Sequence, residues 1–292
     1  MTEELKQRYS DRTLLAVLAH PDDETFGIGG TLAMYAQQGA QVYLVCATRG
    51  EVGEMDSRYL EGFNSIAERR EYELCCAVDK LGLRKVYFLN YRDSGMPGSP
   101  ENQHPQALTA QPVEKVAGEI ASYIRKLKPQ VVITFDPYGG YGHPDHIAIH
   151  NATNLAVEQA ANPEFQPQGN PPPHQVQRLF YQVIPRTMIR LGVLLMQLLG
   201  KDPSKFGTNG DIDLKKIAGM KFPIHASVNY LPVAKLRDEA ANCHESQGGR
   251  RQSNGIIGWL RRLVGSRELF MQAFPIPEGK GNSRDLFDGV TT

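Results

Sequence analysis

Short apolar runs alternate with longer amphipathic stretches along the first half of the chain. Residues 13–19 (TLLAVLA), 41–48 (QVYLVCAT), 85–89 (KVYFL) and 130–135 (QVVITF) have strand length and are rich in aliphatic and β-branched residues. That is the pattern of strands buried on both faces. Helical periodicity occupies 27–38, entered through a glycine-rich turn, then 64–81, stopped by Gly82, then 112–128, ended by Pro129, and finally 147–160. Strand and helix therefore alternate in one rhythm, which predicts an α/β fold with a mostly parallel sheet and right-handed crossovers.

The second half reads differently. Residues 162–174 are rich in proline and polar side chains and predict a surface loop, followed by a strand at 177–184. Helical stretches follow near 191–199, 214–221 and 231–245, and 273–292 reads as loop. The expectation is a Rossmann-like sheet with flanking helices and a helical C-terminal elaboration. One domain would span 1–292, with its motif-bearing core at about 12–160 and the elaboration at about 177–275.

Composition narrows the function classes. Lysine plus arginine and aspartate plus glutamate both number 32, so no broad basic surface is available and a nucleic-acid partner is not expected. The longest apolar run, 191–200, is well short of the roughly 20 residues a membrane span needs, so no transmembrane segment is expected and a core helix is. The polar N-terminal stretch has no secretory character, which predicts a cytoplasmic protein. Cys46, Cys75, Cys76 and Cys243 form no CxxC pair and are read as reduced structural thiols.

Two clusters carry the chemistry. AHPDDETFGIGG follows the first strand and DPYGGYGHPDH the fourth, so three of the eight histidines sit just past strand ends. Ligands of open α/β sheets bind at that edge, which predicts that the clusters face one another. Each cluster alone could be a helix start with a capping residue; the pair together points to a metal. Two histidines and a carboxylate with a position left for water make a catalytic zinc site, and the same set suits non-haem iron. Such an ion lowers the pKa of its bound water to about 7. GIGG lacks the GxGxxG pattern and predicts no dinucleotide; Gly29 and Gly30 fit close backbone approach or helix packing equally well.

AHPDDE and GHPDH resemble the motifs of the LmbE-like, or PIG-L, deacetylase family. The resemblance covers about 12–160, including TRGEVGE (48–54), RREYEL (69–74) and YRDSGMPGSPENQHP (91–105), and extends weakly to KLRDEAANCHESQ (235–247). It implies hydrolysis of the N-acetyl amide of an N-acetylglucosamine-type conjugate, with Zn2+ or Fe2+ as cofactor and a small-molecule partner; members of such families often associate into homo-oligomers. By resemblance His20, Asp23 and His146 are the metal ligands, and Asp22 is the general base. His143 stabilises the oxyanion, Asp145 orients His143, and Tyr141 stands near the oxyanion. Arg70 and Asp93 match positions that contact sugar hydroxyls, and Glu51 is a further substrate-side candidate. His244 and Gln247 are expected to fix the last helix. Alternatives are an amidase of mycothiol S-conjugates, a non-haem iron oxygenase and a non-catalytic sugar-binding protein.

Overall fold

The computed structural model describes residues 7–167, 169–206, 210, 212–250, 266–277, 279 and 281–291. Seven strands form one sheet in the order β3-β2-β1-β4-β5-β7-β6. β1 (Thr13–Leu18), β2 (Gln41–Cys46), β3 (Lys85–Phe88), β4 (Val131–Phe135) and β5 (Arg178–Val183) are mutually parallel. Their side chains explain it: Leu14 to Leu18 and Val131 to Ile133 are fully buried, so both faces must be covered. After β1 the chain moves outward through β2 and β3, then returns to the other side of β1 as β4. That reversal leaves a crevice beyond the ends of β1 and β4.

The main helices are α1 (Gly29–Gln37), α2 (Ile66–Leu81), α3 (Val113–Leu127), α4 (Pro144–Ala161), α5 (Arg186–Leu198), α6 (Leu214–Gly219) and α7 (Ala234–Cys243). α2 begins where Ser65 Oγ accepts from Glu68 N (3.1 Å) and ends at Gly82, which takes the left-handed φ of 76°. The buried Arg125 of α3 donates to the carbonyls of Gln159, Ala160 and Asn162, satisfying the C-terminus of α4, the helix that carries the second motif.

Three expectations need correction. The C-terminal elaboration adds strands as well as helices: β6 (Ala226–Asn229) and β7 (Arg267–Phe274) extend the sheet antiparallel, where the sequence pattern predicts no strand after 177–184 and loop from 273. Residues 191–199 are not core. Leu191, Leu194, Leu195 and Leu198 are more than half exposed, because α5 leaves the sheet after β5 and packs chiefly along α6. The thiols are not all free: Cys76 of α2 and Cys243 of α7 form a disulfide, leaving Cys46 buried and Cys75 exposed. Among the described residues no helix is long and apolar enough to cross a membrane.

β7 also starts α1. Glu268 accepts from the amides of Gly30 (3.0 Å) and Thr31 (2.7 Å), groups with no partner inside the helix. Gly30 lies against Tyr230 so closely that a Cβ would stand 2.1 Å from the ring's Cγ. Helix packing, not approach to a ligand, accounts for this glycine. Gly30→Ala is expected to destabilise the fold by about 1–3 kcal/mol through overpacking. Urea denaturation measures it, and an unchanged midpoint would mean that Tyr230 moves aside freely.

Candidate active site

The site lies in the crevice beyond β1 and β4. After β1 the chain passes through Ala19 and His20 and turns sharply at Asp22, whose φ is 127° and ψ −27°. Non-glycine residues rarely hold such a backbone, and it costs roughly 1–3 kcal/mol where they do. His20 N donates to Asp23 Oδ2 (2.8 Å), which fixes the carboxylate against the strand end. After β4, Asp136 accepts from Tyr138 N (2.9 Å) and Gly140 N (3.2 Å) and shapes a tight loop. Gly139 has φ 66°, and a Cβ there would lie 2.8 Å from His146 Cβ. His143 then caps α4: its Nδ1 accepts from Asp145 N (3.2 Å).

Hydrogen bonds select one nitrogen on each histidine. His20 Nε2 faces Asp145 Oδ2 (3.0 Å) and therefore carries the proton, leaving Nδ1 free. His146 Nδ1 donates to Gly139 O (3.1 Å), leaving Nε2 free. These free nitrogens and the Asp23 carboxylate converge: His20 Nδ1 to His146 Nε2 is 3.2 Å, His146 Nε2 to Asp23 Oδ1 is 3.3 Å, and His20 Nδ1 to Asp23 Oδ2 is 3.6 Å. Tetrahedral zinc with bonds of about 2.0–2.2 Å places its donors roughly 3.3–3.6 Å apart. The spacings come close to that range, with His146 nearest Oδ1 and His20 nearest Oδ2 of the Asp23 carboxylate.

Two other groupings lie close enough to compete: His20 with His143 and His146, and His20 with Asp93 and Asp145. The hydrogen bonds argue against both. His143 spends Nδ1 on the α4 amide. Asp145 Oδ2 also accepts from Ser94 N (3.0 Å), Asp93 Oδ1 accepts from Gly95 N (2.8 Å), and both carboxylates face the protonated nitrogen of His20.

The charges follow from burial and neighbours. Burial would lower the pKa of His20, but Asp93, Asp145 and Asp23 around it raise the pKa well above the ordinary value. A cation in the site would displace that proton. Burial lowers His146, and burial with the His20 and His146 rings lowers His143 to about 2. His143 is thus a neutral ring whose Nε2 carries the hydrogen, since Nδ1 is an acceptor. Asp22 is pushed up to about 6 by burial, against the Arg70 guanidinium. Asp23 and Asp93, despite burial, are held below the usual carboxylate range, Asp23 chiefly by His146 and Asp93 chiefly by His20.

The remaining motif residues fall in distinct places. Asp145 meets His20 rather than His143, because positions two apart at a helix start do not face each other; the expected Asp145–His143 pairing is corrected accordingly. Tyr141 lies with its ring centre 5.1 Å from that of His146 and 6.0 Å from that of His143. Tyr141, His143 and Asp93 line one end of a cavity of about 1000 Å³ that extends to Tyr59, Arg58 and Gln247. Arg70 does not line it. Its buried guanidinium donates to Pro21 O (2.7 Å), Gly50 O (2.9 Å) and Asp22 Oδ2 (3.1 Å), which places it behind Asp22. Glu51 also stands outside the lining and accepts from Arg49 N (3.2 Å). Glu24, which the sequence left without a role, and His244, expected only to fix the last helix, are fully buried behind Asp22 and bonded to each other (2.7 Å).

Known proteins are similar to this chain in sequence and in fold. The profile described as "PIG-L: GlcNAc-PI de-N-acetylase" matches residues 15–157. The 1D-myo-inositol 2-acetamido-2-deoxy-alpha-D-glucopyranoside deacetylase of Geodermatophilus obscurus is 36% identical, over 96% of this chain and 98% of its own. The chain belongs to the PIG-L family. The like-named Streptomyces avermitilis protein is 35% identical over 96% of this chain and 98% of its own, so relatedness within the PIG-L family extends into the C-terminal half. Among solved structures, the N,N'-diacetylchitobiose deacetylase from Pyrococcus horikoshii shares the fold, with a TM-score of 0.61 at 21% identity, over 93% of this chain and 87% of that one.

The donor assignment makes a testable distinction. The purified protein is expected to carry about one equivalent of a divalent transition metal, measurable by mass spectrometry of the metal. Asp145→Ala should weaken metal affinity by about 10–100-fold through loss of the His20 partner. His143→Ala should leave it unchanged. The reverse pattern would move the ligand set onto His143.

Proposed function

We propose that the protein is a metal-dependent N-deacetylase that hydrolyses the acetamide of an N-acetylglucosamine-type conjugate to acetate and free amine. The observation that carries this reading is the convergence of His20 Nδ1, Asp23 and His146 Nε2, with the His143 ring packed against both histidines and lining a large cavity together with Tyr141 and Asp93. Zinc or iron held by those three donors would polarise the carbonyl and make water acidic enough to attack near neutral pH.

This chain's own residues do the rest. Asp22 takes a proton from the attacking water and, with its pKa near 6, returns it to the departing amine. Arg70 acts through Asp22, holding the carboxylate in place rather than touching sugar. His143 donates Nε2–H to the oxyanion that develops on the acetamide carbonyl, and being neutral it does so without adding charge to a site already holding a cation. Tyr141 shields that oxygen from water. Asp93, buried at the cavity's inner end with one oxygen committed to Gly95 N, offers its other acceptor to sugar hydroxyls. Glu51 stays a lesser substrate-side candidate, acting by shaping the loop through Arg49 N. The partner is a small molecule, and cytoplasmic residence is part of the proposal. The Cys76–Cys243 bond weighs against that residence, since such bonds are rare in reducing compartments. A second reading, cleavage of a thiol-conjugate amide, draws on the cavity's volume, which accommodates a larger group beyond the amino sugar.

Acetate release from a panel of N-acetylglucosaminides, including the inositol glycoside and diacetylchitobiose, tests the reading. Turnover abolished by chelation and restored by metal is expected; bound metal with turnover only on thiol conjugates would favour the second reading instead. Asp22→Asn should lower kcat by about 10²–10⁴-fold with metal retained. His143→Ala should lower it by about 10²–10³-fold, also with metal retained. A wild-type kcat in either variant removes that residue from the mechanism.

A further inference from the structure

The residue after the two motif aspartates has no part in the roles above, yet the structure commits unusual resources to it. Glu24 is fully buried. Burying a carboxylate is costly unless each oxygen is partnered. Its two oxygens point to different parts of the chain. Oε2 accepts the backbone N–H of Asp22 (2.9 Å), and Oε1 accepts from His244 Nε2 (2.7 Å) and from the Thr25 hydroxyl. His244 is itself fully buried and comes from 220 residues further along. It follows Cys243, the last residue of α7, whose sulfur is bonded to Cys76 of α2.

The amide that Glu24 grips belongs to the residue with the strained backbone, Asp22 at φ 127°. On the opposite side Arg70 holds Pro21 O and the Asp22 carboxylate. Asp22 is therefore clamped at its amide by Glu24 and at its side chain by Arg70. A tie that served only to dock α7 on the sheet would need no contact with Asp22 N. We propose that Glu24, held by His244, is a positioning residue for Asp22: the pair maintains the strained turn that aims the Asp22 carboxylate into the site beside Asp23. This rests on the general-base role proposed for Asp22.

The test places Glu24→Ala in the wild-type and in the Asp22→Asn background. In the wild type kcat should fall by at least about tenfold, with KM and metal content changing less than about twofold. In the Asp22→Asn background the same substitution should change kcat less than about twofold, because a residue acting only through Asp22 has nothing left to position. Glu24→Gln keeps an acceptor for Asp22 N–H and should recover most of the rate. A crystal structure of Glu24→Ala gives a readout independent of activity: Asp22 should relax to negative φ while His20, Asp23 and His146 stay in place. Equal losses in both backgrounds, loss of metal, or an Asp22 that keeps its positive φ would overturn the proposal. If Glu24→Ala does not fold, His244→Asn replaces it, with a smaller kcat loss expected, and a wild-type rate there would overturn the His244 part. If the wild type hydrolyses no acetamide, the functional reading fails, and the crystallographic arm alone decides whether Glu24 positions Asp22.

Discussion

The parallel pairing of β1 with β4 is the constraint from which the site follows. Leu14, Leu15 and Ala16 stand beside Val131, Val132 and Ile133, so both strands run the same way and finish at the same edge. The residues immediately past their ends, His20 and the loop from Asp136 to His146, must then meet although more than a hundred residues separate them in sequence. The pairing is driven by burial: these side chains have no exposed face, and a slip of register would carry the motif histidines away from each other.

Proximity alone does not make a ligand set. Each ring is turned and its proton placed by a group outside the donor trio: Asp145 for His20, the Gly139 carbonyl for His146, the α4 amide for His143. Under the proposed function, three imidazoles of one chemical kind thereby serve two purposes, two as acceptors toward a cation and one as a donor toward an oxyanion. The order of the α4 start is part of this, because a histidine at the capping position necessarily points its other nitrogen away from the helix. The strained backbone of Asp22 is held between Arg70 on one side and Glu24 with His244 on the other. The C-terminal half thus supports the site from behind while β6 and β7 extend the sheet.

What was legible in the sequence follows the same physics. β1 to β5 were recognisable because buried parallel strands are continuous apolar runs, and α2 because Ser65 and Gly82 mark its ends. β6 is four residues long with two polar positions, and Arg267, Glu268 and Gln272 interrupt β7, so neither is a continuous apolar run. The histidine–aspartate motifs stood out by spacing, and their convergence by strand order. Their orienting partners did not: a glycine carbonyl and a serine amide leave no mark in a sequence, and the pairing of Asp145 with His143 came from the family resemblance. The Cys76–Cys243 bond and the Glu24–His244 contact escaped for a common reason. Both join α7 and its end to distant elements, and helix packing brings them together without any local pattern.

The proposed chemistry depends on which atoms face the cation. A crystal structure grown with zinc, with the ion located by anomalous scattering, tests this most directly. The ion is expected between His20 Nδ1, His146 Nε2 and the Asp23 carboxylate, with Asp22 and His143 nearby but unbound. An ion held by His20 Nε2 with Asp93 and Asp145, or one ligated by His143, would contradict the assignment and with it the division of labour among the three histidines.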